Sequence, residues 1–249
     1  MVKKCHLIFK KHYSLIIMLK NLYLGALSMF LICGVFTTAI SGQKSFVYAQ
    51  EKPSQENEKT PYVLRIMFFR GVDINTVSNL ISVIETYNTP ERIEIYMSSF
   101  GGNPEAALVA YNYLTSLPIE VHTYNLGHIA SAATVIFCAG DKRYASPRSS
   151  FLFHELKVSF SGEDRTENYG RYLDYYDLQK KRTNSAIKQC SQFSDSELNV
   201  MYTDGKVLSA ENAKTSGYVT GITNTMPTSQ ARLVYIVGDQ LKDGFPPFR

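Results

Sequence analysis

The first 49 residues contain no aspartate and no glutamate, although they contain six lysines. The whole sequence has 26 basic and 22 acidic side chains, a net charge of +4. The residues after position 49 therefore carry 20 basic and 22 acidic side chains, a net charge of −2. The basic excess belongs to the N-terminal segment alone. Because no run of positive charge lies elsewhere, the sequence argues against a nucleic-acid partner.

Cysteine is also scarce. Cys5 and Cys33 lie in the N-terminal segment, and Cys138 and Cys190 are too few for a disulfide framework. We predict that Cys138 and Cys190 are buried, unpaired thiols. The sequence has no Cys and His cluster with zinc spacing and no glycine-rich phosphate loop, so we expect neither a metal nor a cofactor.

The N-terminal segment has the order of a secretory signal. Lysines precede an apolar stretch over residues 22–40, and small-residue cleavage sites follow it. Residues 22–40 are also long enough to anchor the chain in a membrane, and a buried core helix is the third alternative. We predict export to the periplasm or the medium, with residues 1–49 as leader or anchor. Val47-Tyr48-Ala49 is the preferred cleavage site, and residues 37–39 and 39–41 are alternatives.

The exported part is globular in composition, with a polar linker at 50–60, a domain at 61–223 and a tail at 224–249. Strand-like and helix-like segments alternate through the domain, which predicts an α/β fold with a mainly parallel sheet. Asp73, Pro104 and Ser209 stand at predicted helix starts. A long helix is predicted from about residue 165 to 192, and an extra strand at 232–237 in the tail.

Two strand-to-helix turns carry residues suited to chemistry. Gly101-Gly102 lets a substrate approach the backbone amides closely. Ser131 stands among small residues at a helix start, where a serine is either an N-cap or a nucleophile beside oxyanion-stabilising amides. His154, at a strand end, is the candidate base, and Asp204 is the best-placed late acid. Each of them also has a purely structural interpretation.

In this order, the segments resemble the ClpP type of serine peptidase, the Clp protease proteolytic subunit. The resemblance covers about residues 62–223. Four stretches carry it: Ile95-Tyr96-Met97-Ser98-Ser99-Phe100-Gly101-Gly102, Gly127 to Ala133, Lys142 to His154, and Leu208 to Val219. It implies a ClpP/crotonase-like superhelix of repeated β-β-α units, with a mainly parallel sheet and a long handle helix.

The resemblance also implies roles for single residues. Ser131 matches the nucleophile, His154 the general base, and the amides of Gly102 and Ala132 the oxyanion hole. An ungapped count places Gly205 at the family's aspartate, so Asp204 fills that role only with a one-residue slip.

The sequence departs from the family's pattern at three further places. Phe100 replaces a proline, Ile129 replaces a small residue, and Glu155-Leu156 replaces Gln-Pro.

The resulting hypothesis is an exported serine endopeptidase that cleaves peptides or unfolded chains. The family implies a homo-oligomeric ring built through the handle helix. A tyrosine stripe at 169–176 suits either such packing or packing within one subunit. Export would separate the protein from cytosolic ATP-driven unfoldases, so we expect it to act without an ATPase. Two alternatives stay open: a catalytically impaired ClpP-like scaffold or binding protein, and an acyl-CoA enzyme on the same superfold.

Overall fold

The structure is a computed structural model that describes residues 45–49, 62–87, 89–155, 166–225 and 231–238. The predicted linker at 50–60 and nearly all of the predicted leader lie outside the described residues. Within the described ranges, no helix combines the length and the apolar character that crossing a membrane requires.

The described residues form nine strands and six helices. The strands are β1 (Ser45–Ala49), β2 (Val63–Phe69), β3 (Arg92–Ser99), β4 (Glu120–Ala130), β5 (Lys142–Ala145), β6 (Ser150–Leu152), β7 (Val207–Ser209), β8 (Gly221–Ile222) and β9 (Ala231–Gly238). The helices are α1 (Ile74–Thr86), α2 (Pro104–Ser116), α3 (Ala133–Cys138), α4 (Thr166–Gln189), α5 (Asp195–Asp204) and α6 (Ala210–Thr215).

The strands make one sheet that is mainly parallel. Its order is β1-β9-β2-β3-β4-β5-β8, and β6 pairs with β4 and with β7 off this path. Among the described strands, the pairs β1–β9 and β6–β7 are antiparallel and the others are parallel. The predicted α/β class is therefore confirmed, and the 24-residue α4 is the predicted long helix.

Local signals start the helices where the sequence predicts them. Asp73 forms a capping box with Thr76 at the start of α1. Asn103 caps α2, with Pro104 at its first position, and Ser209 caps α6. These caps satisfy amides that have no partner within their helix, so each strand-to-helix turn has a defined geometry.

A buried aromatic cluster supports the end of β6. The ring of Phe151 lies 5.0 Å from that of Phe137 and 5.1 Å from that of Tyr218, between ring centres. Phe153 packs on Tyr218 at 5.4 Å, and the Tyr218 hydroxyl donates to the carbonyl of Thr134 at 2.7 Å. The cluster thus joins β6 to α3, the two elements that flank Ser131 and His154 in sequence.

The tail contributes a strand to the sheet, as predicted. β9 pairs parallel with β2, and β1 pairs antiparallel with β9 from Ser45 opposite Gly238 to Ala49 opposite Val234. The preferred cleavage site, residues 47–49, therefore lies within β1. Cleavage after Ala49 would remove this strand, whereas cleavage at either earlier site would retain it.

The structure corrects the prediction for the two late cysteines. Both are 5 % exposed, so the predicted burial is confirmed. They are not unpaired, however: Cys138 and Cys190 form a disulfide with their Cα atoms 5.5 Å apart. The sequence could not indicate this pair, because 52 residues separate them and only the packing of α3 against the end of α4 brings them together.

Reduction of this disulfide should lower the free energy of unfolding. The disulfide links residues that are 52 positions apart. Closing a loop of that length lowers the chain entropy of the unfolded state by roughly 4 kcal/mol, which is an upper figure. Urea unfolding with and without a phosphine reductant measures the difference. The matched control is the double variant Cys138→Ala/Cys190→Ala, whose midpoint should not respond to the reductant. An equal response in the control would contradict the assignment.

Candidate active site

Ser131 occupies a strained turn between β4 and α3. Its φ of +53° lies in the left-handed region, which a residue other than glycine rarely adopts. The backbone N–H of Ser131 donates to the carbonyl of Leu152 at 2.9 Å, and the Thr134 N–H donates to the Ser131 carbonyl at 2.9 Å. Strain of this kind clusters at functional sites, and a strand–turn–helix elbow is a known setting for a nucleophile.

The structure does not support the N-cap interpretation of Ser131. The N-cap position of α3 is Ala132, and the cap has no side-chain hydrogen bond. Ser131 lines an open cleft instead, so its hydroxyl is not used to start the helix.

His154 is carried to the same cleft by β6. β4 and β6 are parallel neighbours with Ala130 opposite Leu152, so Ser131 and His154 both follow the carboxyl ends of adjacent strands. Both side chains line the cleft. The carboxyl edge of a mainly parallel sheet is the usual place for such a site.

The ring of His154 is oriented by a backbone carbonyl. Its Nδ1 lies 2.7 Å from the carbonyl oxygen of Glu155. A carbonyl only accepts, so Nδ1 carries the proton and Nε2 is the basic nitrogen of the neutral ring. This is the tautomer that general-base catalysis requires of a triad histidine.

The Gly101-Gly102 turn packs directly on the Ser131 turn. A Cβ added to Gly101 would stand 2.5 Å from the Ala130 carbonyl oxygen and 2.6 Å from Ser131 Cβ. One added to Gly102 would overlap the carbonyl of Val72. Both glycines have positive φ, +86° and +146°. Only glycine combines a positive φ with so little space for a side chain, so the two turns pack closely here.

Two amides at this contact have no backbone partner. In the described part of the chain, neither the N–H of Gly102 nor that of Ala132 donates to a backbone carbonyl. The nitrogen of Ala132 is 2.9 Å from the position that a Gly101 Cβ would take. Free N–H groups beside a serine hydroxyl are what stabilisation of an oxyanion requires.

The predicted acid is not brought to His154. Antiparallel pairing puts Leu152 opposite Val207, and the Phe153 N–H donates to Lys206 at 2.9 Å. The register ends there, because the N–H of Glu155 donates to the carbonyl of Tyr202 in the last turn of α5 at 3.0 Å. Asp204 is the exposed last residue of α5, and among the described residues no hydrogen bond or ion pair joins it to His154.

The pairing shows no slip as far as Lys206. Gly205 has a φ of +65° and ends α5 as its C-cap. The residue that the ungapped count places at the family's aspartate therefore has no side chain to offer to the imidazole.

The cleft encloses about 420 Å³ of space outside the protein atoms, open solvent included. Besides Ser131 and His154 its lining comprises Pro104, Ala132, Thr134, Val135, Glu155, Tyr176, Lys180, Thr183 and Tyr202. Burial, with a contribution from Glu155, raises the pKa of Tyr176, and burial raises that of Tyr202. Both phenols are therefore neutral at physiological pH.

The α4 wall of the cleft is fixed by Glu105 at the start of α2. Its carboxylate accepts from Gln179 and from Arg182, each at 2.7 Å. These hydrogen bonds, that of Arg182 first, lower the pKa of Glu105. Tyr176 and Thr183 belong to a helical stripe visible in the sequence, but only the packing shows that they face the cleft. Sequence reasoning missed Lys180 and Glu105.

Asn125 is a further positioning residue without a sequence signal. The register of β3 against β4 shifts between Met97 and Ser99, at the point where β5 ends and β6 begins along β4. The fully buried Asn125 side chain spans this irregularity, donating to the Ser150 carbonyl at 2.9 Å and accepting from Gly127 at 3.0 Å. It replaces ladder hydrogen bonds that the irregularity removes.

Comparison with known proteins agrees with this geometry. The sequence profile of the Clp protease family matches residues 64–226. The chain belongs to the Clp protease family. The ATP-dependent Clp protease proteolytic subunit 1 of Rhodopirellula baltica is 25 % identical over 178 residues, which are 67 % of this chain and 75 % of that protein.

A solved Clp protein shares the fold. The structure of an asparagine-to-aspartate mutant of ClpP1 from Listeria monocytogenes superposes with a TM-score of 0.55 and 18 % identity. The match covers 65 % of this chain and 91 % of that chain. Family membership makes this chain a serine peptidase of the ClpP type by class. Strands β1 and β9 lie outside residues 64–226, the range that the family profile matches.

Replacing Gly205 by aspartate should increase the reactivity of Ser131. A Cβ at Gly205 meets no atom within 4 Å, and aspartate tolerates the left-handed region better than most residues. A carboxylate facing His154 stabilises the imidazolium, and its loss from a serine-protease triad costs about 10⁴-fold. We expect Gly205→Asp to raise the rate of inactivation by a fluorophosphonate about 10-fold or more.

Gly205→Asn is the matched control for shape, and it should give no comparable increase. Asp204→Asn should leave the rate unchanged. A large loss of reactivity in Asp204→Asn would contradict the register and restore Asp204 as the acid.

Proposed function

We propose that this protein is a serine endopeptidase in which Ser131 is the nucleophile and His154 the general base. The observation that carries the proposal is the paired position of the two residues. Ser131, in a left-handed turn, and His154 follow the carboxyl ends of two adjacent parallel strands and line one cleft.

The reaction follows from the positions of these groups. Ser131 Oγ attacks the carbonyl carbon of the scissile peptide while its proton passes to His154 Nε2. The tetrahedral oxyanion accepts hydrogen bonds from Gly102 and Ala132. Collapse releases the amine, which takes the proton from His154. Water, deprotonated by the same histidine, then hydrolyses the acyl-enzyme and regenerates Ser131.

This mechanism differs from that of a full triad in the group that orients His154. Glu155 supplies a carbonyl to His154 Nδ1, which fixes the tautomer but carries no negative charge. The imidazolium that forms in the transition state is therefore less stabilised, and a slow enzyme follows from this. The same observation favours the second candidate function, a catalytically impaired ClpP-like binding protein.

A fluorophosphonate probe distinguishes the two candidates. The wild-type protein should be labelled at Ser131, and Ser131→Ala should lose the label because Ser131 is the proposed nucleophile. Ser82→Ala, at an exposed position on α1, is the matched control and should label normally. Mass spectrometry of the modified peptide locates the adduct. Folded wild-type protein without any label would eliminate the peptidase.

Export is part of the proposal. The lysine-flanked apolar stretch at 22–40 directs the chain to a membrane, where it is cleaved or serves as a tether. A buried disulfide independently supports an oxidising compartment, since disulfides are rare in the cytosol. An exported peptidase would not meet cytosolic unfoldases, so the proposed enzyme degrades peptides or unfolded chains without ATP.

Fusion of alkaline phosphatase to the C-terminus of the full chain tests export. Alkaline phosphatase becomes active only where disulfides form, so the fusion should be active in a bacterial host. The matched fusion that lacks residues 22–40 should be inactive at the same expression level. Equal activity of the two fusions, or an inactive full-length fusion, would contradict export.

A homo-oligomeric ring is the proposed assembly. Leu173, Tyr175 and Leu178 on α4 are 52–62 % exposed, so this part of the long helix offers apolar side chains for packing against a second copy. Of the tyrosine stripe predicted for this role, Tyr176 lines the cleft instead, and the Tyr169 side chain lies outside the described part.

A further inference from the structure

We propose that Lys180 determines which substrates the cleft accepts. The preferred residue on the acyl side of the scissile bond has an apolar stem and a terminal carboxylate, as glutamate has. The inference rests on the proposed function, because it concerns substrates of Ser131.

The cleft offers apolar walls for the stem of such a side chain. Pro104 begins α2, Val135 belongs to α3, and Tyr176 and Tyr202 come from α4 and α5. These side chains surround the space next to Ser131, so a bound residue exchanges water for ring and methylene contacts. Walls of this kind alone would select for size and apolarity.

Lys180 adds a charge to these walls. Of the described residues that line the cleft, it is the only lysine or arginine, and it is half-buried. It follows Tyr176 by four residues and precedes Thr183 by three, so the three side chains share one face of α4. The ammonium group therefore stands on the same wall as the phenol of Tyr176.

Lys180 has no ionic partner among the described residues, unlike two other cations of α4. Arg182 pairs with Glu105 at 2.7 Å, and Lys188 pairs with Asp195 at 2.8 Å. The described residues contribute no hydrogen bond and no ion pair to the Lys180 ammonium group, although the Thr183 hydroxyl donates to the Lys180 carbonyl at 3.0 Å. A half-buried ammonium without a counter-ion attracts an anion more strongly than an exposed one, because water screens it less.

Among the described lining residues, the one acid stands at a different place. Glu155 is exposed and directly follows His154, and its charge contributes to the raised pKa of Tyr176. Along α4 the lining passes from Tyr176 through Lys180 to Thr183, which is 6 % exposed. The exposed Glu155 is thus associated with the Tyr176 end of this wall, and an anionic side chain fits in the orientation that brings its carboxylate to Lys180.

Diphenyl phosphonate probes test the inference without requiring fast turnover. Four probes carry a leucine, glutamine, glutamate or lysine side chain at the reacting residue and are otherwise identical. The measurement is the second-order rate of Ser131 labelling. The wild type should react with the glutamate probe about 10-fold faster than with the glutamine probe, and slowest with the lysine probe. A 10-fold difference in rate corresponds to about 1.4 kcal/mol.

The variant Lys180→Met retains the apolar stem and removes the charge. In this variant the glutamate and glutamine probes should label Ser131 at about the same rate. The leucine probe should react at a rate within about twofold of that with the wild type. Lys180→Glu should invert the order and favour the lysine probe. Lys181→Met, which changes the same charge at the exposed neighbouring position, should keep the wild-type ratios.

The outcomes separate this inference from the function on which it rests. Unchanged ratios in Lys180→Met, or wild-type labelling by a plain fluorophosphonate but by none of the four probes, overturn the role of Lys180 and leave the nucleophile in place. Absence of Ser131 labelling by the plain fluorophosphonate overturns the peptidase itself and this inference with it.

Discussion

The three-residue strand β6 determines the site, because it pairs on both sides with a fixed register. Parallel pairing with β4 brings His154 beside the turn that carries Ser131. Antiparallel pairing with β7, continued by the hydrogen bond from Phe153 to Lys206, fixes the strand on its other side. The aromatic packing of Phe151 and Phe153 beneath it makes a shift costly, since a one-residue slip would exchange buried and exposed faces.

Gly205, which an ungapped count places at the family's aspartate, offers no carboxylate to His154. The proposed nucleophile, the proposed base and the two free amides are present, and among the described residues no carboxylate hydrogen-bonds to the histidine ring. The carbonyl of Glu155 supplies orientation without charge. The proposed site thus has the groups for acyl transfer without that electrostatic contribution. In this proposal, selectivity comes from substrate binding in the cleft, including the charge of Lys180.

Features with local signals could be predicted from the sequence. Asp73 and Pro104 indicate helix starts, and Gly101-Gly102 indicates a turn that only glycine can form. Features that depend on distant pairing could not be predicted. The Cys138–Cys190 disulfide needs α3 packed on α4, and the neighbours of His154 depend on the pairing of β6 with β7, a strand too short to show a periodic pattern. Lys180 resembles any other lysine of a polar helix until the cleft is seen.

The most direct test of the account is a crystal structure of the protein with a peptidyl phosphonate bound covalently. The adduct should be on Ser131 Oγ, with the phosphonyl oxygen about 2.7–3.1 Å from the amide nitrogens of Gly102 and Ala132. His154 Nε2 should face the leaving-group side, and its Nδ1 should keep the hydrogen bond to the carbonyl of Glu155. An adduct on another residue, or a phosphonyl oxygen that points away from both amides, would contradict the account.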